Sequence, residues 1–78
     1  MEKKLIKSEF DRKVIEILRT IVPDQIMKLE DGEGNIWISK AKQDNDLELA
    51  VTKIFRNEEL VAIIHYSYKT GEEREYIF

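Results

Sequence analysis

The run from Leu47 to Tyr68 is nearly symmetric about the pair Asn57-Glu58, and no other stretch of this chain constrains its fold as tightly. A two-residue loop there sets Arg56 opposite Glu59, Phe55 opposite Leu60 and Val51 opposite Ile64. Leu49 then meets Tyr66 and Leu47 meets Tyr68, so one face of the hairpin is apolar along almost its whole length. A competing helical pattern runs through the same residues. Leu47, Ala50, Val51, Ile54 and Phe55 also fit i, i+3, i+4, i+7, i+8, with Asn45 and Glu48 as a possible cap pair. The mirror pairing decides for the hairpin, because a helix leaves that symmetry as coincidence.

Upstream, Ser8 is placed to cap a helix, with Asp11 three residues on. Phe10, Val14, Ile17, Leu18, Ile21 and Val22 recur at helical spacing, and Pro23 ends the pattern. The expected helix therefore spans about 8–22, and residues 1–7 are read as a frayed end. The remainder alternates strands with turns: 25–30, 35–42, 47–56, 59–68 and 72–78. The turn cluster Asp31-Gly32-Glu33-Gly34 lies between the first two strands, and Lys69-Thr70-Gly71 precedes the last. The expected fold class is α+β, a single domain over 1–78 in which one N-terminal helix packs on a five-stranded antiparallel meander. In shape alone this order resembles helix-grip arrangements such as the cystatin-like folds. Likeness of that kind carries no residue role and no function.

Loop lengths set register, and register sets faces. Loops of four residues at 31–34, four at 43–46, two at 57–58 and three at 69–71 align one row, Met27–Ile38–Val51–Ile64–Tyr76, across all five strands. That row is the expected helix face. The opposite face then holds Trp37 with Lys28, Thr52, Ile54, Val61, Ile63 and Ile77, an apolar surface that one helix cannot reach. A contiguous apolar patch of this kind marks an interaction site, and Trp37 is a suitable anchor. His65 falls directly opposite Glu75 on that face, where the carboxylate favours the imidazolium and a pH-sensitive contact.

Composition narrows the functional classes. The net charge is −3 with both signs mixed, which argues against a phosphate-backbone binder. Lys28, Lys40, Lys42 and Trp37 nevertheless make nucleic-acid association the runner-up. Acidic loop tips (Asp31/Glu33, Asp44/Asp46, Glu58/Glu59, Glu72/Glu73) also allow a nucleic-acid mimic. There is no cysteine for a disulfide or a thiolate metal site, and no apolar run of membrane-spanning length. Asp31-Gly32-Glu33-Gly34-Asn35 fails as a calcium loop, since the sixth position is Ile36 and the twelfth is Lys42. Ser67 lies two residues from His65 without any further mark of a nucleophilic site. The expectation is a cytoplasmic, non-enzymatic module without cofactor or metal. It binds another protein, or a second copy of itself, through the face opposite the helix.

Overall fold

The computed structural model describes residues 4–78. Ser8 is extended (φ −106°), and its Oγ accepts from the Asp11 N–H at 3.1 Å, which starts helix α1, Glu9–Leu18. The helix ends four residues before the expected stop. Thr20, Ile21 and Val22 are β-branched and precede a proline, so the helical continuation is disfavoured twice. The Thr20 hydroxyl donates to the Ile17 carbonyl at 2.7 Å, and Asp24, at φ 67°, redirects the chain into the sheet.

The helix is also rotated relative to the expected stripe. Its buried positions are Asp11, Val14, Ile15 and Leu18, whereas Phe10, Ile17 and Val22 are exposed. Asp11 explains the rotation, because it faces inward to pair with Arg56. The Arg56 guanidinium also donates to the Leu5 carbonyl at 2.8 Å and lies 5.6 Å from the centre of the Trp37 ring. Residues 5 and 6 are thereby anchored rather than frayed. Ile6 donates its N–H to the Phe78 carbonyl at 2.7 Å and is buried in the core. Residues 1–3 of the expected frayed end lie outside the described residues.

Five antiparallel strands follow in one sheet, in the meander order β1-β2-β3-β4-β5: β1 Ile26–Glu30, β2 Ile36–Asp44, β3 Leu49–Arg56, β4 Glu59–Ser67 and β5 Glu73–Ile77. The α+β class and the hairpin at Asn57-Glu58 stand. Both turn residues have positive φ (49° and 70°), the geometry that matches the twist of the flanking strands. Arg56 faces Glu59 and Phe55 faces Leu60, as expected. Immediately beyond, a β-bulge leaves Val61 without an opposite residue, so Ile54 faces Ala62 and Val51 faces His65.

The other turns also close differently. Glu30 pairs with Ile36, which leaves five loop residues instead of four. Asp31 gathers that loop: its Oδ1 accepts from the N–H groups of Glu33 and Asn35, and Gly34 supplies a φ of 85°. The β2–β3 turn spans 45–48 rather than 43–46, held by Asp44 Oδ1 accepting from the N–H groups of Asp46 and Leu47. Ser67 donates its N–H to the Glu72 carbonyl, so the last loop has four residues and Gly71 keeps the left-handed conformation expected of it.

Candidate functional site

Three of the four turns, counting the bulge, change register by one residue and therefore exchange faces. The β2–β3 turn shifts by an even step, so Trp37, Ser39, Thr52 and Ile54 remain grouped as the sequence suggests. Their side, however, is the helix side. Trp37, Ile54 and Val61 are fully buried with Ile15 and Leu18, and Thr52 is buried as well. Ile77 shares this face, opposite Ala62, and packs against the core. Of the seven residues expected to form an exposed patch, only Lys28 and Ile63 lie on the far side of the sheet. The Trp37 patch is core.

Small and large groups alternate where the helix lands. Ser39, Ala41 and Ala62 leave room for α1 beside Trp37, and the Ser39 hydroxyl donates to the Leu18 carbonyl at 3.0 Å, satisfying a helix-end acceptor. Trp37 Nε1 donates to Asp31 Oδ2 at 2.8 Å, so the indole keeps its one polar group paired. Partial burial acts to raise the Asp31 pKa. Hydrogen bonds from Trp37, Asn35 and Glu33 outweigh it and hold the carboxyl down at about 2.

The expected His65–Glu75 pair does not form. His65 faces Arg74 and meets the Tyr76 ring edge-on at 5.6 Å, while Glu75 lies on the helix side and pairs with Arg19. The four-residue loop 68–71, one residue longer than expected, separates the two by shifting β5 one position against β4, which puts them on opposite faces.

What covers the sheet on its other side is nothing among the described residues. Three transverse rows define this open face. Lys28, Ile38, Phe55 and Leu60 form the first. Ile26, Lys40, Lys53, Ile63 and Tyr76 form the second, and Lys42, Val51, His65 and Arg74 the third. Five cations, Lys28, Lys40, Lys42, Lys53 and Arg74, are exposed there. Arg74 pairs with Glu72, but among the described residues none of the four lysines has a carboxylate within ion-pair distance. Lys40 and Lys53 stand directly opposite one another, an arrangement that disfavours the fold. Their neighbours Ile38, Val51, Phe55 and Ile63 are half-buried, and the Lys40 ammonium lies 5.5 Å from the centre of the Phe55 ring.

A broad trough of about 790 Å³ runs over Lys40, Lys42, Val51, Lys53 and Phe55 and ends at the acidic turn Asp44–Asp46. The arrangement offers hydrogen-bond donors and positive charge around a strip of aliphatic surface. It is suited to recognition. Among the described residues no cluster of three His, Cys, Asp or Glu is arranged to hold a metal ion, and no helix is long and apolar enough to cross a membrane. No family model matches this chain, and neither a curated protein nor a solved structure matches it.

The signal for this face was present in the chain. Lys40, Lys42 and Lys53 alternate with Ile38, Val51 and Phe55, so any register that groups them puts three lysines on one side. An unpaired buried ammonium is so costly that such a side cannot lie under the helix.

Proposed function

We propose that the chain is a non-enzymatic protein-binding module that works through the sheet face opposite its helix. The observation that carries this reading is the set of half-buried apolar side chains, Ile38, Val51, Phe55 and Ile63, interleaved with lysines that have no carboxylate partner among the described residues. Solvent-facing sheet surfaces ordinarily alternate to fully polar residues, so apolar surface retained there points to contact with another molecule. A two-fold contact centred on the middle of this face would press Lys40 and Lys53 of one copy against the same residues of the other. Like charges so placed oppose association, and the partner is read as a different protein.

The test is paired affinity capture from cell extract with wild-type bait and with bait carrying Phe55→Ser and Ile63→Ser. Circular dichroism first establishes that the altered bait is folded. A partner that is held by wild type, lost from the altered bait and bound again as a purified protein supports the reading. Equal recovery on both baits refutes it. Sedimentation velocity across a concentration series addresses the second-copy alternative, for which a concentration-dependent dimer is the required result.

A further inference from the structure

Resting on that reading of the open face, we infer that its partner is an acidic, amphipathic protein segment, with carboxylates set against Lys40, Lys42 and Lys53 and apolar side chains against Ile38, Val51, Phe55 and Ile63. Charge complementarity is the first ground. The open face carries five exposed cations, with Glu30 and Asp44 as its strand carboxylates, while the whole chain is −3. Positive charge is therefore gathered on this one side of an otherwise acidic molecule. Lys40 and Lys53 are held on adjacent strands at a repulsive pairing, and a carboxylate between them converts that repulsion into two attractive contacts.

The apolar component decides between classes of acidic partner. A single-stranded nucleic acid is bound by phosphate contacts together with free rings on which bases stack. Here the surface between the lysines is mainly aliphatic. Phe55 is half-buried beneath the Lys40 ammonium, and the Tyr76 ring is engaged edge-on by His65. Aliphatic side chains suit Leu, Ile or Phe of a protein and offer little to a base. Carboxylates also bound the face at both ends of the strands, Asp44 and Asp46 at one and Glu58 and Glu59 at the other. A continuous phosphate backbone crossing the sheet along the strands meets repulsion at each end. A peptide meets it only where its own acids lie, so its acidic residues belong at the centre of the trough.

The experiment is selection from a displayed library of random short peptides on the wild-type protein. Each selected peptide is then titrated against wild type, Lys42→Glu/Lys53→Glu, Phe55→Ser and Ile63→Lys, all checked for folding by circular dichroism. The expected result is enrichment of Asp and Glu interspersed with apolar residues. Binding should fall about tenfold or more on the double charge reversal and also on at least one of the apolar-site variants. Enriched peptides without acids, insensitive to the charge reversal but lost on Phe55→Ser or Ile63→Lys, overturn the inferred chemistry and leave the face as a docking surface. Peptides that bind all variants equally, or no enrichment at all, overturn the docking surface itself. A labelled oligothymidylate is titrated in parallel. Lysine-dependent binding of it with a steep salt dependence assigns the face to nucleic acid and overturns the protein segment.

Discussion

Lys53→Glu should make this protein more stable while removing the charge on which its open face depends. Lys40 and Lys53 are directly opposed across β2 and β3, both exposed, and Lys42 is one diagonal step from Lys53. Directly opposite residues have Cβ atoms about 4.5–5.5 Å apart, and a cross-strand charge pair is worth about 0.2–1 kcal/mol in either direction. Replacing a repulsive pair by an attractive one recovers both contributions. Solvent screening at an exposed site holds the sum to about 1 kcal/mol. Unfolding entropy of about 2.1 cal/mol/K per residue gives about 0.16 kcal/mol/K for a chain of this length, so the expected rise in Tm is about 6 °C.

The assay is thermal unfolding followed by circular dichroism at low ionic strength and again near 1 M salt, where the Debye length of about 3 Å screens exposed charges. The gain should shrink strongly in salt. Lys40→Glu creates the same pair but gives up the ammonium–Phe55 contact, worth about 0.5–1 kcal/mol at an exposed site, so its gain should be smaller. A Tm that is unchanged or lowered by Lys53→Glu at low salt refutes the reasoning. A gain independent of salt attributes the effect to strand propensity and refutes it equally.

Trp37→Ala should cost about 3–5 kcal/mol through cavity formation, with urea midpoints as the measure; retention of the wild-type midpoint would place the indole outside the core. The Asp31 carboxyl is held at about 2 when folded, below its ordinary 3.8, so its stabilisation is complete above pH 4 and is lost as pH falls toward 2. Asp31→Asn should therefore flatten the stability–pH curve in that window, as followed by urea unfolding at stepped pH. Glu58 occupies a left-handed position (φ 70°) in the tight hairpin, and Glu58→Gly should add on the order of 0.5 kcal/mol, read as a shift in thermal midpoint.

Local signals in the chain were sufficient for the elements and their order. Ser8, Asn57-Glu58 and Gly71 each mark a cap or a turn through backbone geometry confined to a few residues and act where the sequence places them, whereas the helix ends at Leu18, ahead of the stop at Pro23. The meander follows, since short turns between strands leave antiparallel neighbours as the only connection. The pairing of β2 with β3 groups Trp37 with Thr52 and Ile54 on either reading of the turn, because the error there is an even number of residues.

Only the tertiary structure decided which side the helix covers. Strand side chains alternate with a period of two, so one extra residue in the 31–35 loop, one at Val61 and one in the 68–71 loop each invert a face. None of these has a local marker comparable to Asn57-Glu58. The bulge at Val61 is settled by packing, which buries Val61, Ala62 and Ile64 together beside Trp37 and Ile54. Desolvation settles the rest: Trp37 can be buried because Asp31 accepts its N–H, whereas Lys40, Lys42 and Lys53 have no such partner among the described residues and face water. The sequence by itself determined one helix, five strands and their order, whereas the side that became core and the side left open depended on contacts between residues far apart in the chain.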